Sequence, residues 1–486
     1  MQMTKPSSIT RRRFIQAAGF TATAMALRGQ GVLGANNQVR IGVIGCGIRG
    51  NSLISQFSHL PDTRIVAVSD PDTARMEKAA ASILKESGGA KVDQLRDYRT
   101  LLERKDIDAV IIASPNHWHA LHTIHACQAG KDVYVEKPVS HDIWEGRQMV
   151  AAAKLHKRVV QAGTQNRSDV GLIKAFDFIQ QGNIGKITAV RGLCLQNRES
   201  IGKVATPIKP PATVDYNLWL GPAQDVPIYR PHFHYDWHWV YNTGNGNIGN
   251  QGPHELDMIR WVLGDPQAPA KLQSFGGRFG WDDAGETPNM QAVWFTLNEV
   301  PVIFEVSDMW QRPDLNSPVS FKGIRVGIIV TCEGGEFRGG RGGGYILGPD
   351  GKTKLAKFPG DAGAGHAQNF IDTVRSRRME DLRAPIEQAH QSTTLTHLAN
   401  LSLRSGNSLP LEKLEQAVPD NADLHDVIQR QQKQLLDWKV DLHNTACTLG
   451  SELTIDPSGE TVTGPENARR FNRTEYRHEF AVPEVG

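Results

Sequence analysis

The chain is predicted to be an α/β protein with two main domains. The first is an N-terminal Rossmann domain with a doubly wound parallel sheet. The second is a C-terminal α+β domain with a large, mostly antiparallel sheet. Three observations predict this. Short apolar runs alternate with helical stretches over residues 39–162, the rhythm of a parallel sheet crossed by helices. A glycine turn, Gly45-x-Gly47-x-x-Gly50, follows the first apolar run directly. After about residue 165, strand-like runs succeed one another without long helices between them.

Residues 1–35 read as a twin-arginine signal peptide. Arg11-Arg12-Arg13-Phe14 precedes an apolar run over 17–27, and a small-residue exit lies near Gly34 and Ala35. That run is shorter than the roughly 20 residues a membrane span needs, and the order of basic, apolar and small residues is that of a cleavable leader. An amphipathic first helix is the alternative. The leader implies the twin-arginine export machinery as a partner, a periplasmic protein, and no membrane anchor after processing. That route carries folded proteins. An exported protein that needs a diffusible cofactor therefore has to load it beforehand and keep it.

Residues 36–164 form the expected NAD-binding domain, with strands at 39–44, 64–69, 109–113, 132–135 and 158–161 and helices at 72–85, 117–129 and 143–156. Residues 165–406 form the substrate and oligomerisation domain, with strands at 187–194, 292–296, 302–306 and 327–332 and a helix at 255–263. The glycine-rich stretch 334–344, with Arg338 and Arg341 in it, reads as a mobile surface hairpin or an anion cradle. Helical stretches at 366–377 and 386–404 are expected to pack back on the first domain. Residues 407–486 supply a helix at 424–437 and an extended tail from Pro457 that wraps the surface. The alternating apolar positions between Ala292 and Val306 suggest a homo-oligomer, or else a sheet face covered by the chain after residue 407.

Of 486 residues, 39% are apolar and 22% charged, with a net charge of +2. No global field recruits nucleic acid, so none is expected as a partner. Cys46, Cys127, Cys194, Cys332 and Cys447 form no C-x-x-C pair, so neither a metal knuckle nor a dithiol site is signalled.

Four constellations carry chemistry. In the first, Gly45 permits a tight turn, Gly47 admits a pyrophosphate, and Gly50 lets helix and strand approach. Ile48 and Arg49 sit in the same turn. Asp70, at the end of the next strand, suits a ribose diol and favours NAD over NADP, with a helix N-cap as its rival role. The second is Ser114, Asn116, His117 and His119, at a strand's carboxyl end, where open α/β sheets bind ligands. Asn116 is expected to cap the following helix. The third is Glu136-Lys137-Pro138, with Lys137 held at the rim of the cleft to exchange a substrate proton. Gln165 joins the cofactor contacts and Arg167 the substrate contacts. The fourth is Asn250 through Asp257. His254 and Asp257 are three apart on one helical face, so Asp257 is expected to orient the His254 imidazole for general-base work. The run from Pro231 to His238 contains Tyr235, Trp237 and His238, a platform on which a sugar ring can stack. Packing and a metal site are the alternatives, and no metal is assigned.

Together these constellations resemble the glucose–fructose oxidoreductase, inositol dehydrogenase and rhizopine catabolism family, written Gfo/Idh/MocA, over most of residues 39–406. The resemblance implies an E-K-P tripeptide and a downstream D-x-x-x-H-x-x-D. Lys137, His254 and Asp257 match, and Asn250 stands where the family has aspartate. By that likeness the catalytic set is Lys137, His254 and Asp257, and Asn250 binds substrate without relaying a proton. The leader and the aromatic run look like an exported, sugar-acting subgroup. Three functions compete: a sugar or cyclitol dehydrogenase, a glycoside hydrolase that uses NAD transiently, and a non-catalytic sugar-binding protein.

Overall fold

The computed structural model describes residues 38–485 apart from 88, 315–316, 457–460 and 470. The expected leader, 1–35, lies outside the described residues. Among the described residues, no helix is long and apolar enough to cross a membrane.

The first sheet has six parallel strands in the order β3-β2-β1-β4-β5-β6. They are β1 (Val39–Ile44), β2 (Thr63–Ser69), β3 (Asp93–Leu95), β4 (Ala109–Ile112), β5 (Asp132–Val135) and β6 (Val160–Ala162). Every residue of β4 is buried, and the two faces alternate. Ala109 and Ile111 face a cluster with Phe57, Ile83 and Phe370, while Val110 and Ile112 face one with Leu101, Ile124 and Met149. Helices therefore cover both faces, which is why these strands are apolar throughout. The short β3 was not anticipated, since Asp93-Gln94-Leu95 carries no apolar run.

The second sheet has twelve strands among the described residues. They are β7 (Ile187–Leu195), β8 (Lys271–Gly277), β9 (Met290–Leu297), β10 (Val300–Ser307), β11 (Val326–Cys332), β12 (Gly335–Gly340), β13 (Gly343–Leu347), β14 (Lys354–Pro359), β15 (Asn407–Pro410), β16 (Ala446–Leu449), β17 (Leu453–Asp456) and β18 (Thr461–Gly464). The main path runs β14-β13-β12-β11-β7-β10-β9-β8-β16-β15, with β17 on β8 and β18 on β17. Only β7 and β10 pair in parallel, so the sheet is mostly antiparallel as expected. The glycine-rich stretch is neither mobile loop nor surface appendage. It is the β12–β13 pair inside the sheet, with Phe337 and Ile346 buried in the main core.

One face of this sheet packs on the helices Gly252–Val262 and Ile386–Arg404 through Val293, Phe304, Leu256 and Leu398. The other face carries the helix Ala422–Asp437, which buries Leu424, Val427 and Ile428 on Met290, Ala292 and Ile303. Arg191 fastens that helix to the sheet through Asp426 at 2.8 Å, and Arg430 pairs with Glu305 at 2.8 Å. The chain after residue 407 therefore covers part of the sheet face. The helix His366–Ser376 packs back on the Rossmann domain as expected, burying Phe370 and Ile371 there. The tail ends in that domain's core, where the Phe480 ring meets Trp118 edge-on at 5.5 Å.

Candidate functional site

The glycine turn has the geometry its sequence implies. Gly45 has φ +94°, and a Cβ there would lie 2.5 Å from the Ser114 nitrogen. A Cβ on Gly50 would lie 2.0 Å from the Gly45 carbonyl oxygen, so only glycine allows the helix Ile48–Ser58 to start this close to the strand. A Cβ on Gly47 would meet only the end of Arg75, which leaves the bare backbone open to a phosphate at the helix N-terminus. These features fit a dinucleotide.

Asp70 lines the cleft below the turn. Its carboxylate accepts backbone N–H bonds from Cys46 at 2.7 Å and Asp72 at 2.9 Å. Each oxygen keeps a second lone pair for a ribose hydroxyl. Burial raises its pKa to about 6. The N-cap of the next helix is Asp72, so the rival role for Asp70 does not hold.

The segment between β7 and the helix Gly246–Asn250 closes over the cleft. It is tied to the loop after β2 by Asp215 N–H to the Pro71 carbonyl at 2.9 Å and by Thr73 N–H to the Thr213 carbonyl at 3.1 Å. His234 bonds Asp72 at 2.9 Å. Its own small core of Trp219, Leu220, Ile228 and Phe233 makes it stiff. Leu218, Trp219, Tyr235, Trp237 and His238 thereby become cleft wall, opposite Gly45, Gly47, Ile48, Arg49 and Asp70. Tyr235 has φ +68°, a costly conformation for a bulky residue. The His238 ring stacks on Trp237 with centroids 3.6 Å apart. His234 and His238 point to different partners, and among the described residues no group of three or more His, Cys, Asp or Glu is arranged to hold a metal.

Lys137 also lines this cleft, together with Ser114, Asn116, His119, Glu136 and Asn250. Its Nζ donates to the Asn250 backbone carbonyl at 2.6 Å and to Asn250 Oδ1 at 3.2 Å. Burial lowers its pKa, opposed by the Glu136 charge and aided by Arg49. Glu136 is in turn held by Arg49 at 2.7 Å and by Gln165 Nε2 at 3.3 Å. His254 does not border the cleft, but its imidazole feels the charge of Lys137. Burial first, then the Lys137, Arg49 and Arg341 charges, hold the His254 pKa well below its ordinary value. Its buried Nδ1 has no partner among the described residues.

Five expectations need correction. Asp257 does not orient His254. It is buried and accepts from Arg167 at 2.8 Å and from Ser392 Oγ at 2.7 Å. Arg167 is accordingly no substrate contact, since Asp257 and Asp265 occupy its guanidinium. His117 is buried between the Thr243 and Trp219 carbonyls, each 3.2 Å away, and serves to hold the closing segment. Asn116 caps nothing and donates to Asn245 Oδ1 at 3.2 Å. Gln165 stands behind the cleft wall, on Glu136 and Tyr134. In each case a partner distant in sequence took the side chain.

Several cleft residues escaped the sequence reading. Arg96, Asp97 and Tyr98 line the cleft just past β3. Placing β3 would have located them, because strand carboxyl ends face the ligand. Arg75, Leu218 and Trp219 carry no such local signal.

Residues 39–164 match the model described as "Oxidoreductase family, NAD-binding Rossmann fold", and residues 188–284 match "Oxidoreductase family, C-terminal alpha/beta domain". A "Glycosyl hydrolase family 109 protein" of Shewanella sp. (strain W3-18-1) is 32% identical over 205 residues, covering 37% of this chain and 44% of that protein. "Inositol 2-dehydrogenase 3" of Saccharopolyspora erythraea is 28% identical over 236 residues, covering 48% of this chain and 56% of that protein. The chain thus spans about half the length of the curated relatives it matches. The WlbA dehydrogenase of Bordetella pertussis, solved with NADH and UDP-GlcNAcA, shares the fold at a TM-score of 0.57 and 18% identity, over 76% of this chain and 97% of that one. Taken with the glycine turn and the two sheets, these matches place residues 39–164 and 188–284 in the GFO/IDH/MocA oxidoreductase family, the first stretch being its NAD-binding Rossmann domain.

Proposed function

We propose that this chain is an exported, periplasmic oxidoreductase that acts on a sugar or cyclitol hydroxyl with a retained NAD. The observation that carries the reading is Lys137. It lines the dinucleotide cleft, burial lowers its pKa, and the Asn250 carbonyl and amide oxygens hold it in place. Bound NAD supplies the hydride acceptor. Lys137 Nζ takes the hydroxyl proton as the C–H bond gives up its hydride. An amine with a lowered pKa is a competent base nearer neutral pH than an exposed lysine. His254, kept neutral, adds no charge beside Lys137 and leaves the proton to it. Trp237 and His238 offer a flat face for the ring. The closing segment excludes water and delays release of the nucleotide, which suits a protein that loads its cofactor before export through the twin-arginine leader. The experiment is to mix NAD-loaded protein with a panel of sugars and cyclitols and follow absorbance at the reduced-nicotinamide band. Substrate-dependent reduction is expected, and a flat signal with every compound rejects the reading.

The hydrolase-named relatives favour a second reading, an NAD-dependent glycoside hydrolysis with no net redox change. Release of an aglycone without net nucleotide reduction selects it. We also propose self-association through the part of the large sheet that the helix Ala422–Asp437 leaves open. There Trp294, Thr296, Pro301 and Ile329 line a groove of about 770 Å³. Light scattering that shows only a monomer at every concentration rejects this.

A further inference from the structure

A second groove, of about 950 Å³, opens where β11, β12 and β13 meet the end of β7. Four arginines (Arg198, Arg325, Arg338, Arg341) and Lys357 line it, and no carboxylate does. Arg338 is neutralised by Glu336 at 2.7 Å. Arg325, Arg341 and Lys357 are exposed and have no ion pair or side-chain hydrogen bond among the described residues. Isolated exposed cations are usually solvated and serve no site. Three unpaired ones around a glycine-floored groove, with no acid among its walls, form a concentrated positive field. The floor is the Gly339–Gly340 and Gly342–Gly344 backbone, whose turn is fixed by the Gly342 N–H donating to buried Asp169 at 2.9 Å.

The groove adjoins the catalytic cleft. Arg198 borders the groove and donates to the Tyr235 hydroxyl at 2.7 Å, and Tyr235 lines the cleft. The guanidinium Nε of Arg198 is buried without a partner. The Arg198 charge reaches Lys137, and the Arg341 charge reaches His254.

We infer that the substrate is an anionic saccharide whose oxyanion, as carboxylate, sulfate ester or phosphate ester, lies on Arg198, Arg325, Arg341 and Lys357 while its reacting hydroxyl meets Lys137. This rests on the oxidoreductase reading above and narrows its substrate class. Guanidinium groups suit all three oxyanions because their paired N–H donors match two oxygens at once.

The test uses the full, NAD-loaded chain and four matched probes: methyl glucoside, methyl glucuronide, glucose 6-sulfate and glucose 6-phosphate. Nucleotide reduction is followed at low and high salt. At least one anionic probe is expected to exceed the neutral one by about tenfold or more in kcat/KM, and the probe that does so identifies the oxyanion. The preference should shrink at high salt, since exposed charges are screened. The double variant R325E/R341E should erase the preference with its melting temperature kept, and R325K/R341K should retain much of it. If neutral and anionic probes react equally well, the anion proposal falls and the sugar reading stands. If no probe changes the nucleotide and calorimetry shows no binding of the anionic ones, both fall.

Discussion

Two charge clusters of this molecule mean opposite things. Arg49, Glu136 and Lys137 surround the cleft. Arg167, Asp257, Asp265 and Ser392 knit the second domain to the helix Ile386–Arg404. Both contain residues that the sequence marked for function. In the second cluster every strong donor meets a fixed acceptor: Arg167 reaches both oxygens of Asp257 and both of Asp265. In the first, Lys137 is held by neutral acceptors only, and its neighbour His254 keeps an unpartnered nitrogen. A saturated cluster has no bonds left to offer a ligand. The difference between structural and chemical charge lies here in that remaining capacity, which a single sequence does not display.

The largest expected effect breaks the comparison on the cleft side. Lys137→Ala should lower kcat by about 10²–10⁴-fold, as removal of a positioned acid–base group does, while the melting temperature stays near that of the parent. Next comes Asp257→Ala. It should destabilise the fold by about 3 kcal/mol, the low end for breaking a buried pair because Asp265 still holds Arg167. Activity per folded molecule should persist, measured by denaturant titration alongside turnover. A loss of turnover in a fully folded Asp257→Ala protein would return Asp257 to the chemistry.

Asn250 sharpens the contrast. Asn250→Ala removes one acceptor from Lys137 and should raise KM about tenfold, the worth of roughly one hydrogen bond to a charged group. Asn250→Asp places a negative charge beside Nζ, which raises the Lys137 pKa. The acid limb of the kcat/KM profile should move to higher pH. A limb that stays put means that Lys137 is not the base.

How much was readable followed the range of the forces involved. The Rossmann half was legible because its strands, glycine turn and E-K-P tripeptide are local patterns, and Gly45, Asp70, Glu136 and Lys137 all stand in the cleft. What was lost is β3, for want of apolar residues, and the short helix Tyr98–Leu102 after it. In the second domain β7, β9, β10, β11 and the helix Ile386–Arg404 were legible, whereas β8, β12 to β18 and the placement of Phe480 were not; β16 and β17, for instance, pair with β8, far away in sequence. His117, Arg167 and Asp257 misled for the same reason. Their spacing pointed to one another or to a ligand, and tertiary partners took them instead. The cleft wall from Leu218 to Trp237 depends on backbone ties between Asp215 and Pro71, which no local pattern encodes.

The smallest effect concerns a cleft neighbour. Burial raises the Glu255 pKa to about 8 from 4.5, and that of Asp308 to about 7 from 3.8. A raised carboxyl favours the folded state while protonated, and that stability is lost as pH climbs through the folded value. Asp308 goes from half ionised at pH 7 to mostly ionised at pH 8, and the buried histidines, with lowered pKa values, are neutral in the folded chain. Glu255 contributes a decline on the order of 1 kcal/mol per pH unit in that window. Glu255→Gln should remove this component, so that its melting temperature relative to the parent rises between pH 7 and 8. An unchanged slope places the titration elsewhere.

The central claim is a redox site closed over its own NAD, and its most direct measurement is nucleotide analysis of the purified chain. Protein prepared without added nucleotide is denatured, and the released small molecules are identified by mass spectrometry. The account predicts stoichiometric NAD or NADH. Stoichiometric NADP would contradict the role given to Asp70, and a chain that emerges empty and binds NAD only weakly would contradict the retained cofactor.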